Sequence, residues 1–125
     1  MPKVSKETAA IVMEMGPTTD RYSELDGYRA EFVSIGEDSD LTPLLVGLPN
    51  DECQCPHWGY VLSGRMWFRK DGRDESISAG EAFHIAPGHT AGADKGSEFV
   101  IFSPSEQIAE LEAHMQQRAQ QLHGA

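Results

Sequence analysis

Positive charge is scarce in this chain: ten Lys and Arg stand against twenty Asp and Glu in 125 residues, a net charge of −10. Phosphate backbones and anionic lipid repel such a surface, which argues against nucleic acid or a membrane as the main partner. Long hydrophobic runs are missing as well. No stretch approaches the roughly 18 apolar residues of a membrane span, and the opening MPKVSKETAAIVMEMG holds no apolar core of signal-peptide type. The cytoplasm is therefore the expected compartment. Cysteine is limited to Cys53 and Cys55. Cytoplasmic thiols stay reduced, so two close cysteines point to metal ligands or a redox site before a structural disulfide. Internal repeats and low-complexity linkers are absent too, and the length suits a single domain over 1–125.

What is present divides by texture into three parts. Residues 1–27 form an N-terminal extension in which Ala9 to Met15 make an apolar patch ended by Gly16-Pro17, long enough for a strand or a short helical turn. A half-exposed strand follows, with Tyr28, Ala30 and Phe32 on one face and Arg29, Glu31 and Val33 on the other. From 57 to 103 short runs rich in Val, Ile, Phe, Tyr and Trp are cut at regular intervals by Ser63-Gly64, Asp71-Gly72, Ala79-Gly80, Pro87-Gly88 and Lys95-Gly96. That punctuation predicts antiparallel strands in a sandwich or barrel, with Asp71-Gly72 the strongest hairpin signal because a type I′ turn needs positive φ at both central positions. After 103 the period changes. Ser103 as N-cap, Pro104 at the first helical position and Glu106 form a capping box, and Ile108, Leu111, Met115 and Leu122 recur at helical spacing. The expected helix over 104–123 packs across its own β-body or pairs across a dimer.

The stretch CQCPHWGYVLSG, residues 53–64, places two cysteines and a histidine at alternate positions ahead of a strand. It reads as a metal nest, a redox pair, or three side chains buried on one face.

HWGYVLSGRMWF followed by AGEAFHIAPGH resembles the cupins, whose small jelly-roll barrels carry two short motifs meeting around a metal in the barrel mouth. The resemblance covers residues 28–103 and implies an all-β jelly-roll β-barrel (28–103) with a C-terminal α-helix. The glycine framework matches at Gly64, Gly80 and Gly88, with Pro87 one place late. The ligand slots differ. His57 stands where the family has a glutamate, Cys53 and Asp51 occupy the two histidine slots of the first motif, Ala91 and Lys95 fill the histidine and asparagine slots of the second, and His89 lies just upstream of Ala91.

These replacements are themselves ligand types. Alternate side chains of a strand share a face, so Cys53, Cys55 and His57 can all look into the barrel, and a shift of two keeps His89 on the side of position 91. Jelly-roll closure would bring His57 and His89 together from neighbouring strands. Thiolate and imidazole suit zinc or iron, whereas magnesium and calcium want oxygen. Residues i and i+4 of a straight strand stand ~13 Å apart, so a shared ion requires a bend, which Pro56 can supply. The expected ligands are His57 and His89, with Cys53 and Cys55 competing for the remaining places. A strained Cys53–Cys55 disulfide is the weaker reading.

Other residues have simpler expectations. His84 reads as a strand residue satisfied by a backbone partner. Trp58 and Tyr60 read as core or interface, Met66 and Phe68 as core, and Trp67 as lining the pocket or covering a subunit contact. His114 and His123 read as solvated, and EDSD and DGRDE as solvated turns that lack the calcium-loop pattern. Three function classes follow. The first is a metal centre acting on, or binding, a small molecule; the second is a non-catalytic binding or structural barrel; the third is a thiol-reactive site at Cys53 and Cys55. No general acid or base is evident beyond the ligands. The exposed aromatic positions and the striped helix point to a homodimer.

Overall fold

The computed structural model describes residues 2–123. Ten strands, all paired antiparallel, form two sheets. The larger has six strands in the order β1 (Ile11–Met15), β2 (Thr18–Leu25), β3 (Tyr28–Ile35), β10 (Glu98–Pro104), β5 (His57–Ser63) and β8 (Ala82–Ile85). The smaller has four, in the order β4 (Ser39–Asp40), β9 (Thr90–Ala93), β6 (Arg65–Lys70) and β7 (Arg73–Ser78). Non-consecutive neighbours such as β3, β10 and β5 give the jelly-roll character. Among the described residues no helix is long and apolar enough to cross a membrane.

Each glycine of the regular punctuation between 57 and 103 sits where a side chain would strain the backbone. Gly64, Gly72, Gly80, Gly88 and Gly96 all have positive φ, which glycine adopts at no steric cost. Asp71 and Gly72 both have positive φ and join β6 to β7, as a type I′ hairpin requires. Between the sheets, Ile35, Val61, Met66, Phe68, Ile77 and Phe99 form the main apolar core.

Three expectations need correction. Residues 11–25 are not an extension of the barrel: β1 and β2 belong to the large sheet, which begins at Ile11 and not at 28. Asp26-Gly27, both at positive φ, is the hairpin that attaches β2 to β3. The terminal helix, α2 (Ser105–His123), starts at Ser105 because β10 continues through Pro104. Ser103 is therefore a strand residue, not the cap.

α2 lies across its own β-body. Ile108 and Leu111 bury into a second apolar cluster with Leu45, Cys53 and Cys55, where Met115 packs alongside, while Leu122 stays exposed. His114 is not simply solvated. Its Nε2–H donates to the Val46 carbonyl at 2.8 Å, just after the single helical turn α1 (Thr42–Leu45). His123 is exposed, as expected.

Candidate metal centre

The backbone path explains why Cys53, His57 and His89 meet. Cys53 forms an isolated antiparallel bridge with His89, its N–H donating to the His89 carbonyl at 2.7 Å while its own carbonyl accepts from Gly88 N–H at 2.8 Å. The chain then leaves extended pairing through Pro56 and re-enters the large sheet at His57. That detour brings the Cys53 Sγ to 3.5 Å from His57 Nε2, a separation that a straight strand could not achieve. One ligand atom from each of Cys53, His57 and His89 lies within 4.8 Å of the others, and all three residues are buried. Among the described residues no other set of three or more His, Cys, Asp or Glu converges in this way.

His57 and His89 do not come from neighbouring strands, as jelly-roll closure alone suggested. His57 opens β5 in the large sheet, and His89 immediately precedes β9 in the small one. The cluster therefore straddles the gap between the sheets, with ring centroids 5.3 Å apart.

Cys55 stands outside the group. Its thiol donates to the Pro56 carbonyl at 3.5 Å, and its side chain joins Leu45, Ile108 and Leu111 beneath α2. Both cysteines are free. The family slots are equally unavailable: Asp51 accepts the Gly47 N–H at 2.9 Å, Ala91 is core, and Lys95 is 67% exposed.

The donor set fits a transition ion. His89 Nδ1–H donates to the Ala86 carbonyl at 2.8 Å, which leaves Nε2 with its lone pair. His57 Nδ1 lies 2.7 Å from Ser103 Oγ, and the tautomer in which Nδ1–H donates to that hydroxyl oxygen frees His57 Nε2 in the same way. Ligating histidines are oriented by partners of this kind. Phe68 packs edge-on against the His89 ring at 5.5 Å, and Lys70 Nζ fastens the preceding loop by donating to the Pro87 carbonyl at 2.7 Å. Burial pulls His57 down to about 3, with His89 adding to the effect, and burial lowers His89 too. Both rings are thus neutral, the form that ligates. Burial also pushes the Cys53 thiol up to about 11 and that of Cys55 to about 12. Without an ion each keeps its proton, so neither is a ready nucleophile.

The three donors are among the residues that line a cavity of about 380 Å³ between the sheets and α2. Its other walls are mainly apolar, with Met13, Met15, Met66 and Met115 prominent. Five acids also line it: the exposed Glu37, Asp38 and Asp40, the half-buried Asp20 and the buried Glu31.

Ser103, Asp20 and Glu31 are site residues that sequence reasoning missed. Ser103 satisfied a helix-cap pattern. Asp20 lies on the polar β2 and Glu31 on the mixed β3, and the available signal was parity alone: Glu31 shares a strand face with Val33 and Ile35, which also line the cavity. Trp58 and Tyr60 prove exposed on the outer face of the large sheet. His84, also exposed, stacks on Trp58 at 4.8 Å instead of finding a backbone partner. Trp67 lies outside the cavity, with the Arg69 guanidinium 5.3 Å from its ring centre.

No family model matches the chain, and no curated protein matches it in sequence. Solved structures do. An RmlC-like cupin from Shewanella frigidimarina is similar over 81% of this chain and 88% of its own, at 16% identity and a TM-score of 0.60. KdgF from a Halomonas species matches 75% of this chain and 86% of its own, at 19% identity and a TM-score of 0.53. The polyketide cyclase RemF from Streptomyces resistomycificus matches 83% of this chain and 79% of its own, at 18% identity and a TM-score of 0.58. The two antiparallel sheets, their crossed strand order and this likeness together identify the chain as having the cupin fold.

Proposed function

We propose that the protein binds one divalent transition ion, zinc or iron, through Cys53, His57 and His89, and a small, mostly apolar molecule in the cavity beside it. The observation that carries this reading is the convergence of three buried soft and borderline donors on the wall of a ligand-sized space. Three protein ligands leave a coordination position open, the arrangement of a reactive rather than a structural zinc site. When bound, such an ion polarises a carbonyl or activates water. The chain's own contribution is to hold the two imidazoles neutral and aimed, through Ser103 and the Ala86 carbonyl, and to present an apolar wall that excludes water. A thiol-reactive role is less well supported, because both thiols are buried and protonated. The reading sets the protein in the cytoplasm, where such thiols stay reduced.

The cysteines supply the test. Metal analysis of chelator-treated protein reloaded with zinc should find one equivalent in the parent and in Cys55→Ser, and a strongly reduced content in Cys53→Ser. Retention by Cys53→Ser together with loss by Cys55→Ser would overturn the ligand assignment.

We further propose a homodimer formed through the outer face of the large sheet. Tyr28, Trp58, Tyr60, Leu62 and Phe102 are each at least 40% exposed there, and the register sets Phe102 beside Trp58 and Val100 beside Tyr60. These five side chains carry no formal charge on a chain of net charge −10, so this patch is where two copies can approach with least repulsion, and contiguous apolar surface of this kind marks association. Sedimentation should give a particle of two copies that Trp58→Glu converts to one. A monomer at high micromolar concentration would reject the dimer.

A further inference from the structure

The walls of the cavity carry chemistry that the metal cluster does not use. Met13 and Met15 on β1 stand opposite Asp20 and Thr18 in the β1–β2 ladder and line the cavity from the edge of the large sheet. Met66 and Phe68 line it from β6 in the small sheet, Phe99 from β10 in the large one, and Met115 from α2. A thioether or an aromatic ring is thus presented by both sheets and by the helix. The Met13 sulfur also accepts a side-chain N–H of Gln116 at 3.4 Å, which ties β1 to α2.

Methionine is unbranched, turns about three side-chain bonds and carries a polarisable sulfur, so a wall built from it moulds itself to a guest. The sulfur favours one class of guest. It sits well about 5 Å from an aromatic ring, often at the ring edge, and such a contact is worth between about twofold and tenfold in affinity. Phe68 and Phe99 offer the edge-to-face and offset contacts that aromatic rings make with one another. Phe68 already meets two rings, His89 edge-on at 5.5 Å and Phe83 tilted at 5.2 Å. A saturated guest of the same outline gains neither kind of contact. Size narrows the class further. An apolar cavity of about 150 Å³ takes one benzene ring. The space here is about 380 Å³, enough for two fused rings and a small polar substituent.

We propose that the ligand of this cavity is a fused-ring aromatic compound of about two rings, selected over saturated compounds of the same shape by the thioether and phenyl walls. The proposal rests on the cavity being a ligand site, but not on the metal.

Two probes separate aromatic recognition from burial alone: 2-(hydroxymethyl)naphthalene and its saturated trans-decahydro counterpart. They share a carbon skeleton and an ordinary alcohol. The saturated one has the larger apolar area, so burial alone ranks it first. Amide NMR titration of chelator-treated protein should instead show the naphthalene bound at least tenfold more tightly. Met66→Leu and Met115→Leu keep apolar bulk at their positions and remove the sulfur. Each should narrow the ratio by about twofold or more, and the double variant should bring it within about threefold. Equal affinities, or tighter binding of the saturated probe, would overturn aromatic selection while leaving the cavity a ligand site; no binding of either would overturn both. The parent ranking decides even if a variant fails to fold. Zinc content is measured on separate samples, so a failed metal reading leaves this ranking intact.

Discussion

His57→Ala and His89→Ala are each expected to lose bound zinc almost completely, with affinity falling by two orders of magnitude or more. The scale follows from the partners of the ligands: removing a group that merely orients a ligating histidine costs about 10–100-fold in metal affinity, and removing the histidine costs more. Only three donors converge here, so either change leaves two. Ser103→Ala is the graded control, since it removes the His57 Nδ1 partner at 2.7 Å and leaves every donor atom in place; about 10–100-fold is expected. Acid should release the ion as well. A Cys53 thiol pushed up to about 11 must lose its proton to ligate, so binding releases a proton and weakens as pH falls. Competition titration against a chromophoric chelator reads all of these. If both histidine variants keep a full equivalent, the ion sits elsewhere and the cluster is three buried side chains.

The second large effect is on stability. Gly64, at the turn from β5 to β6, has φ of +77°, and a Cβ added there would lie 2.3 Å from Ser97 Oγ and 2.7 Å from Ser97 Cα. Ser97 cannot yield. It is fully buried, and its hydroxyl donates to the Arg65 carbonyl and accepts the Arg65 N–H, both at 2.9 Å. Gly64→Ala combines a strained backbone with an overpacked contact and should cost roughly 2–5 kcal/mol, a large part of a small domain's stability of about 5–15 kcal/mol. Gly72→Ala provides the contrast: φ is +75°, but the space around it is open, so about 1 kcal/mol is expected. Urea denaturation of the two variants separates strain from collision. Similar midpoints would mean that Ser97 moves aside after all.

These two sites also show what was readable in advance. The strands from β5 to β10 announced themselves because each intervening turn needs positive φ, and the glycines that supply it are visible as letters. β2 was missed although Gly16 and Gly27, both at positive φ, bracket it. Thr18–Leu25 is polar along most of its length, and its place in the sheet comes from pairing with β3, a tertiary fact. Asp26-Gly27 carried the same hairpin signal as Asp71-Gly72 and would have placed it. At the metal cluster, the donor types were legible and so was the need for a bend at Pro56. The direction of the bend was not: both cysteines touch the apolar cluster beneath α2, but only Cys53 is turned to His57 and His89, whereas strict alternation makes the two equivalent. Ser103 was misread because a serine, a proline and a glutamate at those spacings satisfy the capping rule whether or not the preceding strand has ended. Two extra residues of pairing with β3 carried β10 past it.

The methionines have a practical consequence. Four of the five in the chain, Met13, Met15, Met66 and Met115, border the cavity, and they come from β1, β6 and α2. Their ε-methyl groups, labelled with carbon-13, would give four sharp resonances spread around the enclosed space, from both sheets and the helix that covers it. Such a chain carries its own occupancy gauge, able to report whether a compound has entered and against which wall it rests.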